Sequence, residues 1–191
     1  MKHTRAAAAV AAASAVLLAI GAPASAAPPE IDHWTEHVDQ IEQEAIPDWC
    51  VDEGGSPIVP FPVRYVEDAH GTFRGVERQG ELYGASTLFV EGSWTNTENG
   101  ESFSFVQHGQ DKDQTVTTNP DGTRTIEILF VGTTQYYDSE GDKLFKDAGR
   151  TFVTVLFDAE GDFLEVLDSD SKGRFDTMDR DFCADILDVI G

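Results

Sequence analysis

The chain predicts a mainly β fold, an antiparallel meander of roughly eight strands closed or nearly closed into a barrel. Three observations carry that expectation. From residue 61 to residue 167 one pattern repeats, a β-rich run followed by a polar turn that ends in glycine. Within the runs a period of two recurs: Phe103 and Phe105 alternate with Ser102, Ser104 and Val106, and Ile126, Ile128 and Phe130 alternate with Thr125, Glu127 and Leu129. That period marks strands buried on one side. Closing a meander also removes the free edges that invite aggregation. A β-sandwich fits the same local pattern and stands as the alternative fold.

The elements follow in order. Lys2 and Arg5 precede a mostly alanine apolar run over residues 6–20, and Ala24-Ser25-Ala26 follows Gly21 and Pro23. This is the order of a secretory signal peptide, so residues 1–26 are expected to be removed. The run is short for a membrane span, and no later stretch is apolar enough to make one. A secreted, extracellular chain is expected. Residues 27–47 read as a tail and a short N-terminal helix over 33–46. Its stripe would hold Trp34, Val38, Ile41 and Ala45, with Asp32 as N-cap and Pro47 as the stop.

Residues 48–191 read as a single β-rich domain. Strands are expected at 61–66, 72–79, 86–91, 102–107, 114–118, 124–131, 151–157 and 163–167. The turns are Glu67-Asp68-Ala69-His70-Gly71, Thr97-Glu98-Asn99-Gly100, Asn119-Pro120-Asp121-Gly122, Asp138-Ser139-Glu140-Gly141 and Asp158-Ala159-Glu160-Gly161. Asn-Gly and Asp-Gly supply the positive φ that tight turns need. Residues 151–157 are apolar on both faces, which predicts a central strand or one covered by a helix. A C-terminal helix over 178–190 would turn Met178, Phe182, Ile186, Val189 and Ile190 to one side, capped by Asp176 or Thr177, with Asp179 and Asp181 at its positive end.

Cys50 and Cys183 are the only cysteines. In an exported chain two cysteines form one disulfide, here tying the C-terminal helix to the entrance of the sheet. Formal net charge is −22. All 35 Asp and Glu lie beyond the signal, against 13 Lys and Arg less the two within it, so the mature chain carries about −24. Such a field repels phosphate backbones, which excludes nucleic acid as a partner, and it disfavours anionic membranes. It leaves a solubilising surface or a cationic extracellular partner. Oligomeric state stays open.

The layout resembles a group of small secreted actinobacterial proteins of unassigned function. The matching residues are Trp49-Cys50, the segment Trp94-Thr95-Asn96-Thr97-Glu98-Asn99-Gly100-Glu101-Ser102, and Gly173-Arg174-Phe175-Asp176 followed by Asp181-Phe182-Cys183-Ala184. The resemblance covers residues 48–187 and implies a β-rich fold with one N-terminal and one C-terminal cysteine. It implies no catalytic residues.

Two motifs bear on metals. His33-Trp34-Thr35-Glu36-His37 spells the inverted zinc-peptidase order. On a helix His33 and His37 would share a face and Glu36 would activate water, but a third ligand is needed. Residues 168–179 imitate a calcium loop, with Asp168, Asp170, Asp176 and Asp179 at ligand positions and Gly173 at the turn. Lys172 occupies a ligand position, so a polar turn is the simpler reading. Paired acids, Asp111 with Asp113 and Asp138 with Glu140 and Asp142, have the residue types of glycosidases, yet neighbouring carboxylates are commonplace in so acidic a chain. No nucleophile elbow and no phosphate-binding glycine loop is present, so neither a catalytic residue nor a cofactor is expected. The 12 phenylalanines cluster on the expected strands, as core or as the lining of an apolar pocket. The leading expectation is a non-enzymatic extracellular binding or interaction module. A lipocalin-like carrier of a small apolar ligand and a zinc-dependent hydrolase are the alternatives.

Overall fold

The computed structural model describes residues 29–191. The expected signal at 1–26 therefore lies outside the described residues. Seven strands, β1 (Glu30–Ile41), β2 (Val63–Arg78), β3 (Glu81–Asn96), β4 (Ser102–Thr118), β5 (Arg124–Tyr137), β6 (Lys143–Phe157) and β7 (Phe163–Phe175), form one sheet in chain order. Every neighbouring pair is antiparallel. One helical turn, α1 (Glu42–Ala45), follows β1, and α2 (Phe182–Ile190) ends the chain.

The meander is as expected; the barrel is not. Among the described residues β1 and β7 each pair on one side only, so the sheet is open. Seven strands in an antiparallel meander leave β1 and β7 running the same way. Closure would need a parallel pair, unlike every other pair in the sheet. No second sheet is present among the described residues, so the sandwich does not form either. The strand count differs for a local reason. β2 and β4 each run straight through a segment read as a break, and Gly71 sits within β2 rather than in a turn. The other four glycine turns form, with φ of 82° at Gly100, 89° at Gly122, 86° at Gly141 and 99° at Gly161. Residues 151–157 lie in β6, next to the edge, and no helix covers them.

The N-terminal helix expected over 33–46 is also corrected. Residues four apart share a face in a helix and in a strand alike, so the Trp34 and Val38 stripe does not discriminate. Tertiary pairing decides. β1 lies along most of the outer edge of β2, from Glu30 opposite Gly75 to Ile41 opposite Arg64. Helical geometry survives only in α1, just ahead of Pro47.

One row crosses the sheet. Trp34, Gly71, Leu88, Gly109, Gly132, Gly149 and Gly173 stand opposite one another in successive strands. A Cβ would come within 2.1 Å of the Thr87 carbonyl oxygen at Gly71, 2.7 Å of His108 O at Gly132, 2.6 Å of Lys172 O at Gly149 and 2.4 Å of Ala148 O at Gly173. Real Cβ atoms do not approach so closely, so at these four positions of the row, a crease of close backbone approach, only glycine fits. Val116, Val153 and Val155, beyond the crease, are buried although α2 packs only on β3 and β4.

α2 covers the other half of the same face. Ile186 and Ile190 pack with Val59, Phe61, Val63 and Phe103, against Trp94, Tyr136 and Phe145. The helix begins later than expected. Asp181 caps it, accepting from Cys183 N at 2.9 Å and Ala184 N at 3.2 Å. Asp176 instead accepts from Lys146 N at 3.0 Å, and Thr177 N donates to Asp147 at 3.1 Å. Asn96 and Asn99 donate to the terminal Ile190 carbonyl at 2.8 and 3.1 Å, holding the helix end to the β3–β4 turn. The Cys50–Cys183 disulfide, Cα–Cα 5.4 Å, ties the helix start to the segment before β2.

Candidate functional site

The zinc motif is taken apart by its strand. Alternation puts His33 and His37 on the outer face of β1 and Glu36 on the helix-bearing face. Two residues four apart in a strand are ~13 Å apart at Cα, too far for their imidazoles to share an ion bound at ~2 Å. His33 Nδ1 hydrogen-bonds Thr72 Oγ1 at 3.0 Å, and His37 Nδ1 meets Asp68 Oδ1 at 2.8 Å. The calcium segment is likewise extended. Asp168 and Asp170 are strand residues opposite Thr154 and Phe152, Asp176 is held by Arg174 at 2.8 and 2.6 Å, and Asp179 lies exposed in the following turn. No three His, Cys, Asp or Glu side chains among the described residues come together as a metal site. Asp138 is a turn former, accepting from the backbone N–H of Glu140 at 3.0 Å and Asp142 at 2.8 Å.

The sheet instead gathers carboxylates and aromatics beside the helix. Register places Gln40, Tyr65, Trp94 and Phe103 in one row, Val38, Glu67, Gly92 and Phe105 in the next, and Glu36, Ala69 and Val90 in the third. The Tyr65 and Trp94 rings stack at 5.2 Å, and Trp94 also meets Phe105 at 5.2 Å and the edge of Phe182 at 5.0 Å. Gly92 leaves room for the Phe105 ring. The Tyr65 hydroxyl donates to Glu67 Oε2. Burial, then that bond, then the charges of Glu67, Glu42 and Glu36 hold the Tyr65 pKa far above the usual phenol range. Glu67 alone contacts the hydroxyl, and the charges of Glu42 and Glu36 also bear on it; Glu36 is exposed, Glu67 half-buried and Glu42 3% exposed.

Glu42 is the most unusual member. Burial raises its pKa, against hydrogen bonds from the Trp94 and Gln40 side chains. Its Oε2 is buried with no hydrogen-bond partner among the described residues. Unsatisfied buried oxygens are costly, so native structures rarely leave them so. Further along the same face, Asp111 and Asp113 lie two apart on β4, Asp111 opposite Ser86 and Asp113 close to Gly84. Asp113 accepts from Gly84 N at 2.6 Å. Burial, then the neighbouring Asp113, pushes the Asp111 pKa up to about 6.

On the outer face His70, Phe89 and His108 form a ladder across β2, β3 and β4, with ring centroids 5.0 and 4.6 Å apart. A shallow groove of about 350 Å³ opens beside His33, His70 and Phe89. Sequence reasoning singled out none of Glu42, Tyr65, Glu67 or Trp94 as site residues. The sequence reads Tyr65 in a strand and Glu67 in a turn, and only the unbroken β2 sets the two on one face; nothing near Glu42 announces its burial. No protein-family model, curated protein or solved structure matches the chain.

Proposed function

We propose that this protein is a non-enzymatic extracellular binding module whose partner presents an organic cation to the carboxylate and aromatic niche around Tyr65. The observation that carries the reading is the buried Glu42 carboxylate, one oxygen unpartnered among the described residues, whose charge acts on Tyr65 together with those of half-buried Glu67 and exposed Glu36. Carboxylates beside stacked aromatic rings are the chemistry that attracts ammonium and guanidinium groups. Net charge of −22 concentrates cations near the surface. The disulfide suits an oxidising compartment, as does the export signal read from the sequence. No helix among the described residues is long and apolar enough to cross a membrane.

The two alternatives draw less support. A lipocalin-like carrier needs an enclosed barrel cavity, and this sheet is open. A zinc hydrolase needs His33, Glu36 and His37 on one side, and they are divided between faces.

Trp34 and Trp94 flank the niche and report on it. Titration with n-butylammonium chloride, followed by tryptophan emission, is expected to give a saturable change. Equal sodium chloride should not reproduce it, and the double variant Glu36→Gln, Glu67→Gln should weaken it at least about tenfold, because charge-assisted contacts are lost. Emission indifferent to the amine, or a titration unchanged in the variant, would overturn the reading.

A further inference from the structure

β7 is an edge strand that pairs with β6 alone among the described residues. Phe163, Leu164, Val166 and Leu167 are 57, 50, 52 and 49% exposed along it. A free apolar edge templates further strand pairing, and natural sheets normally blunt or cover it. Two register shifts against β6 leave Leu164 and Leu167 without partners, and the remainder of the strand, Asp168 to Phe175, is regular.

That regular half carries a charge pattern with its own complement. Asp168 and Asp170 precede Lys172 and Arg174, and alternation sets all four on the outer face, exposed. Laid antiparallel on an identical strand about Ser171, the segment sets Asp168 against Arg174 and Asp170 against Lys172, each twice by symmetry. Opposite charges directly across a strand pair stabilise it, and like charges destabilise it. The same register brings exposed Leu167 opposite Phe175, the last residue of the strand. Centring the pair on the apolar run at Glu165 would instead oppose Glu165 to itself. The guanidinium of Arg174 holds Asp176 through Nε and Nη2, leaving Nη1 for a second carboxylate.

We infer that β7 is the interface between two copies of this chain, joined antiparallel about Ser171 into one continuous sheet with two-fold symmetry. The acids that imitate a calcium loop are, on this assignment, half of a self-complementary ion-pair ladder. The partner is a second copy because the strand's own charges match it. Acidic peptides would oppose Asp168 and Asp170, and the chain's net charge makes any association without such pairing unfavourable.

Sedimentation equilibrium of the disulfide-intact protein tests this. A dimer is expected, and Lys172→Asp should weaken it at least about tenfold by setting two acid pairs face to face. The swap Asp170→Lys with Lys172→Asp should restore it, since composition is unchanged and the pairs are re-formed. Both positions are exposed, so folding, followed by circular dichroism, should be unaffected. A monomer at concentrations of about 100 μM, a range where weak self-pairing would register, overturns the inference. So does a mass beyond two copies, a dimer indifferent to Lys172→Asp, or a swap that fails to rescue.

Discussion

Asp111 sits on the helix-bearing face with Asp113 two residues away, and burial together with that neighbour pushes its pKa to about 6 from an ordinary 3.8. The folded chain therefore binds this proton more tightly than the unfolded chain does. Its stabilising contribution is complete below the ordinary value and is lost as pH rises from 3.8 to about 6. Asp111→Asn is expected to raise stability at pH 7 by about 1–2 kcal/mol, less than the full shift implies because water still screens part of the carboxyl. Urea melts across pH 4 to 7 would check this; a variant with the wild-type slope would count against it. Asp39 and Asp176 are moved the other way, chiefly by hydrogen bonds from Arg64 and Arg174, so their contributions fade as pH falls. In the sequence Asp111 and Asp113 are two acids among many. Their shared face follows from period two, but the neighbours of that face, Ser86 opposite Asp111 and Gly84 donating to Asp113, come from β3, which no local pattern records.

The glycine crease dominates at the scale of the element. At Gly149 a methyl group would lie 2.6 Å from Lys172 O, 2.7 Å from the Phe175 ring and 3.0 Å from Gly173 Cα. Backbone atoms cannot yield cheaply, so Gly149→Ala is expected to cost about 2–3 kcal/mol. Gly141, with φ of 86° and open space around it, should cost about 1 kcal/mol as alanine. Guanidinium melts of the two variants should rank in that order, and equal losses would argue against the crease. Four of the five expected glycine turns are real because their chemistry is local. Gly71 is not a turn because its role is close approach to β3, a property of the neighbour. The N-terminal segment shows the same limit: Trp34 and Val38 satisfy both periods, and only the long edge of β2 makes the segment a strand. The Asp181 cap, by contrast, lies among the acids read from the sequence at the start of that helix, although the helix begins a few residues later than the apolar stripe implies.

At the scale of the molecule, the cysteine pairing was legible from two residues and the export expected of the chain, whereas sheet closure was not. Whether a meander closes depends on strand number and shear, and two merged runs and one new edge strand left an odd count here. The niche around Tyr65 was hidden for a related reason, since it draws residues from β1, α1, β2 and β3 that only the register brings together. The bridge between Cys50 and Cys183 spans 133 positions. In the chain-entropy account a loop of that length contributes roughly 4–5 kcal/mol. Cys183→Ser is expected to lower thermal stability accordingly and to release α2 from the sheet, visible as faster amide exchange at Ile186 and Ile190; an unchanged melting temperature would contradict this. The five hairpins of β2 to β7 all fall inside the linked span. A protease that severs any one of their tips opens a ring rather than dividing a thread. Both fragments stay joined through sulfur and stay zipped side by side, so the molecule should outlast its first cut, and only a thiol reductant would let the pieces drift apart.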